Sequence, residues 1–249
     1  MENNISLFDE DIKRTFLFHI PHSSTFVPNS NYFSSRSLNE MHRDIMSSTD
    51  WMTDEIFNVD GITKHIAKFS RVFCDVERFI TDDMDKFGRG IYYTLTNDGT
   101  HLRDFNLEHY NYILENYYKP HHNELSNLTN NILNNEGIVR IVDCHSFNEH
   151  RLPFETFDER PDICIGVDEF HTPQYLIDVF ILKFESCGFN VDINSPYSGT
   201  IVPLEHYKKN KNVESIMIEI NKKLYFNKNV IDLQKVSKLQ QIISSIFEF

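Results

Sequence analysis

The sequence predicts an α/β fold built on a mainly parallel sheet. Short apolar runs of β type alternate along the chain with longer stretches of helical periodicity. Several of the apolar runs stop abruptly at polar residues, as strands of an open sheet do at the edge that carries ligands. The 249 residues contain no repeat, low-complexity tract or linker, so the expectation is a single domain over 1–249.

The elements follow in order. Thr15–Ile20 is a compact β-type run ended by Pro21-His22-Ser23-Ser24, which presents His22 on a turn; a solvated loop histidine is the plainer alternative. Ser47 to Phe57 reads as a helix start with Ser48 or Thr49 as cap, where Asp50 either serves the helix dipole or shares a face with Asp54. Ile62–Phe69 and Arg71–Val76 are strand candidates. The second leads into Asp75-Val76-Glu77-Arg78, either a surface ion-pair cluster or an arginine held by acids to clamp a carboxylate.

Residues Thr81 to Arg103, containing Gly88-Arg89-Gly90-Ile91-Tyr92-Tyr93, form a long loop without the strand-to-helix context of a nucleotide fingerprint. Leu107 to Asn134 has helical spacing, kinked or split at Pro120, with His121 and His122 read as structural or as lining a pocket wall. Ile138 to Val142 is a strand that delivers Asp143-Cys144-His145-Ser146. Here Asp143 could cap a turn and His145 could be a core histidine, or the pair could open into a pocket. Asp162–Val167 and Asn190–Ile193 are strands flanking a helix from about Pro173 to Ser186, and Asn194 to Thr200 is a loop. Ser215–Ile220 is an apolar strand interrupted by Glu219, a carboxylate costly to bury unless it is paired, protonated or faces a site. Val230–Phe247 is an amphipathic closing helix.

A formal charge of -13 argues against nucleic-acid or anionic-membrane partners, which need clustered Lys and Arg. It leaves room for a small anionic substrate, because a few arginines in a pocket can outweigh a negative surface. Cys74, Cys144, Cys164 and Cys187 are widely spaced, without a Cys-x-x-Cys, as reduced structural cysteines are. The polar start Met1-Glu2-Asn3-Asn4 lacks a signal pattern, and no apolar run is long enough for a bilayer span, so a cytoplasmic protein is expected.

Four strand ends thus carry polar groups: His22, Asp75 to Arg78, Asp143 to Ser146, and Glu219. In a mainly parallel sheet these ends meet on one edge. Two histidines and a carboxylate suit a catalytic zinc ion, with a spare glutamate as general base.

Eight segments, in this order, carry a family resemblance: Ile20-Pro21-His22-Ser23, Thr49-Asp50-Trp51, Ser70-Arg71 with Asp75 to Phe79, Gly90-Ile91-Tyr92, Tyr118 to His122, Asp143 to Ser146, Asn194 with Gly199, and Ile218 to Asn221. The chain resembles the N-formylglutamate amidohydrolases, from about Phe16 to Tyr225. The resemblance implies a phosphorylase/hydrolase-like, zinc-carboxypeptidase-like α/β fold: a mixed, mostly parallel sheet of about eight strands with helices on both faces.

It further implies a zinc ion on His22, Asp50 and His145, with Glu219 as general base. Thr25 stands where carboxypeptidases place their acidic ligand, so the carboxylate falls to Asp50, with Glu77 as the alternative. Glu77 stands where many relatives carry Asn, and Lys222 where relatives often have Arg. Arg71 and Arg78 would hold substrate carboxylates or the oxyanion, and Ser146, Tyr92, Asn194 and Thr200 would reach the substrate. Asp143 and Asp75 would support the site from behind. The implied reaction is hydrolysis of N-formyl-L-glutamate to formate and L-glutamate, with histidine degradation as its setting. The alternatives are a zinc amidohydrolase or carboxypeptidase-like enzyme acting on another N-acyl amino acid or a small peptide, and a metal-free binding protein.

Overall fold

The computed structural model describes residues 10–28, 33, 38–150, 160–227 and 230–247. The N-terminal Met1 to Asn4, and most of the polar loop after His150, lie outside them.

In chain order the elements are helix α1 (Glu10–Lys13), strand β1 (Phe16–Ile20), helices α2 (Leu38–Ser48) and α3 (Thr53–Ile56), β2 (Thr63–Ile66), α4 (Leu107–Ile113), α5 (Lys119–Glu136), β3 (Val139–Phe147), β4 (Ile163–Gly166), α6 (Gln174–Ser186), β5 (Val191–Ile193), β6 (Val213–Asn221), β7 (Phe226–Asn227), β8 (Val230–Ile231) and α7 (Leu233–Ile246). Among the described residues β1 to β6 form a six-stranded sheet in the order β2-β1-β3-β6-β4-β5, and β7 and β8 form a separate antiparallel pair. β2, β1, β3 and β6 run parallel, and β4 meets β6 antiparallel while pairing parallel with β5. The sheet is therefore mixed and mostly parallel, as the sequence predicts, with six strands where about eight are expected.

Alternation along the strands decides what each face holds. Phe16, Phe18, Ile20, Val142, Cys144, Ile216, Ile218 and Ile220 point to one face, where they pack with Leu176, Phe180 and Phe184 of α6 and Val236, Leu239 and Ile243 of α7. Leu17, Val139, Ile141 and Val213 point to the other and meet Leu125 and Ile132 of α5. Because both faces are covered, the central strands read as nearly continuous apolar runs.

Several elements differ from the sequence expectation. Arg71–Val76 is a turn: the Ser70 carbonyl accepts the Phe73 and Cys74 amides, and the Arg103 guanidinium, in place of a strand partner, bonds the Val72 and Phe73 carbonyls at 3.3 and 3.1 Å. Ser47 and Ser48 end α2 instead of starting a helix, and Asp50 lies in the turn before α3, next but one to Met52 in left-handed conformation (φ 62°). The helix predicted over 107–134 is two, joined by a π turn at Leu114–Tyr118. Pro120 sits in the first turn of α5, where its missing N–H costs little. The closing helix starts at Leu233, capped by the Asp232 carboxylate, after the short β8. No helix of the described residues is long and apolar enough to cross a membrane.

Candidate active site

The carboxyl ends of β1, β3 and β6 converge on a cavity of about 590 Å³. Register brings His145 on β3 beside Glu219 on β6, and His19 on β1 beside Asp143 on β3. Asp143 and His145 are two apart, so their side chains leave the same face. His22 follows β1 by two residues, and the amide of Asp50 donates to the His22 carbonyl at 3.0 Å, which fixes the two segments to each other.

His22, Asp50 and His145 offer three donor atoms that all lie within 4.8 Å of one another, and all three residues are buried. Asp50 Oδ2 stands 3.6 Å from His22 Nδ1 and 3.2 Å from His145 Nδ1. The opposite ring nitrogens each meet a carboxylate: His22 Nε2 lies 2.9 Å from Asp75 Oδ1, and His145 Nε2 lies 3.0 Å from Asp143 Oδ1. A carboxylate behind each imidazole is the arrangement that orients metal-binding histidines. His22 Nδ1 is buried with no hydrogen-bond partner, an orphaned lone pair that a cation would satisfy. The donor set, two imidazoles and one carboxylate, is that of a catalytic zinc site.

Charge agrees with this geometry. Burial alone would push the Asp50 carboxyl up, but the hydrogen bond from His145, the nearby His22 and the Lys222 ammonium hold it well below the usual range. Burial disfavours charge on His145, yet Asp143 and Asp50 outweigh it and raise the imidazole well above its ordinary value. The pocket is thus built to hold positive charge between these residues, which a proton or a metal ion can supply. Glu219 lies across from His145 with Oε2 buried and unpartnered, and burial lifts its carboxyl to about 7.

Glu77, the alternative acid, stands elsewhere. Its Oε1 lies 3.2 Å from His19 Nδ1, and burial with the nearby Asp143 raises its carboxyl to about 8. A second group of possible donors, His19, Glu77 and Asp143, therefore lies behind the first.

Arg71, Arg78, Ser146 and Thr200 line the cavity with His22, Asp50, His145 and Glu219. Arg71 is held on Asp75 by Nη2 at 2.9 Å and Nε at 3.2 Å, and Tyr93 donates its hydroxyl to the same oxygen. The hydrogen bond of Arg78 uses Nε alone, to the Arg89 carbonyl at 3.2 Å. Thr200 shares a 2.7 Å hydrogen bond with Ser215.

Two predicted site residues are not brought to the cavity. Tyr92 is buried under the Arg103 guanidinium, 3.7 Å from its ring, and its hydroxyl meets the Asp104 carbonyl and His109. Asn194 (φ 55°) accepts the Val167 amide at 2.9 Å and shapes the start of the cavity loop from behind.

Sequence reasoning passed over His19, and noted Lys222 only as standing where relatives often have Arg. Lys222 is buried, 3.7 Å from Asp50 Oδ1 and 3.2 Å from Asn148 Oδ1. A charged or titratable residue inside or directly after a buried strand was the available signal for both.

The family model for N-formylglutamate amidohydrolase matches residues 14–226. Among solved structures, the crystal structure of N-formylglutamate amidohydrolase from Ralstonia eutropha JMP134 superposes with a TM-score of 0.80 at 19% identity, covering 94% of this chain and 91% of that one. The gene product Atu2144 from Agrobacterium tumefaciens gives 0.66 at 15% identity, covering 96% and 92%. No curated protein is detectably similar in sequence. These structural likenesses extend the fold over nearly the whole chain, and the match over residues 14–226 shows that the chain belongs to the N-formylglutamate amidohydrolase family.

Proposed function

We propose that this protein is a zinc-dependent amidohydrolase that cleaves N-formyl-L-glutamate to formate and L-glutamate. The observation that carries the reading is the pair of imidazoles that each turn one nitrogen to Asp50 and the other to a carboxylate of their own. A zinc ion held by His22, Asp50 and His145 would polarise the scissile carbonyl and acidify water.

The chain's own residues supply the rest. Glu219, with its carboxyl near 7, is suited to take a proton from the attacking water and return it to the leaving amine. Arg78 and Arg71 give the substrate carboxylates cationic partners, and Arg71 is pre-oriented by Asp75. Lys222 adds a further positive charge on the Asp50 side of the cavity.

The test is formate release from N-formyl-L-glutamate by the wild type and by Glu219→Gln, with bound zinc quantified in each. The reading expects one zinc per chain in both and activity in the wild type alone. Activity that survives complete removal of metal would defeat it.

A second reading rests on cavity size. About 590 Å³ is within the range that holds drug-sized ligands, more than a formyl amino acid occupies. A larger N-acyl amino acid or a small peptide is therefore the alternative substrate, separated from the first by a panel of formyl, acetyl and dipeptide compounds.

A further inference from the structure

His19 lies on β1, fully buried, one layer behind the metal-type cluster. Its Nδ1 is 2.9 Å from Asp143 Oδ1, and its Nε2 is 2.9 Å from Nε2 of His121 on α5. His65 completes the group, its ring centroid 4.1 Å from that of His121 and its Nε2 3.0 Å from the His121 carbonyl. No step of the proposed reaction uses these three histidines, although burying them carries a desolvation cost.

Counting protons gives them a direction. Asp143 is enclosed by nitrogens: the Ile201 amide, a fixed donor, meets one oxygen, and His145 and His19 meet the other, so the carboxyl accepts at both. As an acceptor only, it takes His145 Nε2 at 3.0 Å, His19 Nδ1 at 2.9 Å and the Ile201 amide at 3.1 Å. Both imidazoles must then carry hydrogen on the nitrogens that face it. Burial keeps His19 neutral, near 4, so its Nε2 is a lone pair, and the proton in the His19–His121 contact belongs to His121. Burial likewise holds His121 well below its ordinary value, so it is neutral with Nε2–H. The chain donates in one direction, from His121 to His19 to Asp143.

We propose that His19 and His121 are positioning residues whose hydrogen-bond chain fixes Asp143 as the acceptor of His145 Nε2–H and so keeps His145 Nδ1 a free lone pair for a divalent cation. This rests on the reading of His22, Asp50 and His145 as a metal site. Glu77, 3.2 Å from His19 Nδ1, is the one competing acceptor on that nitrogen among the described residues. Its Oε1 makes no hydrogen bond, whereas Asp143 Oδ1 makes one to His19 Nδ1 at 2.9 Å, which leaves Asp143 as the partner.

The experiment measures zinc affinity by competition with a chelator, the visible spectrum of the cobalt(II) form, and thermal melting of the metal-free protein. Wild type, His22→Ala and His145→Ala come first: a wild type without zinc, or zinc binding indifferent to both substitutions, overturns the metal site and this inference with it. Given a metal site, His19→Leu removes the donor to Asp143 and should weaken zinc by about 10- to 100-fold with an altered cobalt spectrum. His19→Asn keeps an N–H close to the place of Nδ1 and should stay within about 3-fold of wild type. Should His19→Leu fail to fold, His121→Leu against His121→Gln poses the same question one residue further out, the glutamine keeping a donor near Nε2. Zinc affinity and cobalt spectrum unchanged in both leucine variants would overturn the inference alone, as would asparagine and glutamine variants as weak as their leucine counterparts. Two zinc ions per chain would also overturn it, since His19, Glu77 and Asp143 would then be ligands and not a hydrogen-bond chain.

Discussion

Asp75 faces His22 with one carboxylate oxygen, 2.9 Å from Nε2, and Arg71 with the other, 2.9 Å from Nη2. One buried acid thus orients a candidate metal ligand and a candidate substrate cation together, and it also accepts the Tyr93 hydroxyl and the Glu77 amide. Asp75→Asn takes the charge away and leaves donors unmatched in the interior. The expected outcome is a loss of about 3–5 kcal/mol in the denaturant midpoint analysis of the metal-free protein, together with zinc binding weakened by about 10- to 100-fold. Unfolding that shifts while zinc affinity stays at the wild-type level would reduce Asp75 to a structural brace.

Glu219→Gln keeps the shape of the side chain and removes the proton acceptor. Because Glu219 stands outside the His22, Asp50 and His145 set, zinc should remain stoichiometric. The turnover number for N-formyl-L-glutamate should fall by about 10²- to 10⁴-fold, with KM changed far less. A variant that turns over at wild-type speed would remove Glu219 from the role of base.

Arg78 is the better probe of substrate binding, because Arg71 is committed to Asp75 while the hydrogen bond of Arg78 occupies Nε alone. Loss of a charge-assisted hydrogen bond amounts to about 1.5–3 kcal/mol, so Arg78→Ala should lower kcat/KM by about 10- to 150-fold. Comparing N-formyl-L-glutamate with N-formyl-L-glutamine assigns the contact. An equal loss on both points to the α-carboxylate, and a loss confined to the glutamate compound points to the side-chain carboxylate. No loss on either contradicts the contact.

Much of this site was legible because its parts interrupt apolar runs. Asp143, His145 and Glu219 break strands that otherwise bury on both faces, and a buried charge without a purpose is rare enough to be noticed. His22 and Asp50 sit beside turns, and what joins them is a backbone hydrogen bond across 28 positions of sequence, which no local pattern encodes. Arg71–Val76 has the composition of a strand, yet the carbonyls of Val72 and Phe73 are satisfied by the side chain of Arg103, far along the chain. His19 and His121 gain their meaning only from each other, 102 residues apart. Tyr92 looked available in a glycine-rich loop but is sealed under the same Arg103.

Acid should remove the stability that three buried, neutral histidines contribute. Burial lowers His19, His109 and His122 to about 4 from an ordinary 6.5. At these three sites the native state binds fewer protons than the unfolded chain between those two values, so the stability they contribute is complete above about 6.5 and declines as pH falls towards 4. Glu77, Glu219 and His145 are raised and act in the opposite sense over the same range, so the readout is the melting temperature of metal-free His122→Gln relative to wild type at pH 7.5, 6 and 4.5. The variant, which can keep a donor to the Val76 carbonyl, should gain on the wild type as pH falls. A difference between variant and wild type that stays constant over that range would show that His122 is protonated at no cost.

Gly166 ends β4 where the strand passes under the cavity loop, and it has no room for a side chain. A Cβ there would stand 2.4 Å from the carbonyl oxygen of Gly199 and 2.4 Å from Cε of Met217. The Met217 terminus is flexible and can turn away, but the Gly199 carbonyl is backbone, so the loop itself must yield. Pro196 to Val202 line the cavity, and within that stretch the Ile201 amide holds Asp143 and the Thr200 hydroxyl meets Ser215. Gly166→Ala should therefore raise KM for the substrate more than it lowers turnover, with stability reduced by about 1–3 kcal/mol as overpacking does. The discriminating measurement is the split between KM and kcat at saturating zinc. A variant that loses stability while both constants hold would mean that the loop relaxes outward without moving Thr200 or Ile201, and that the close approach at Gly166 serves packing alone.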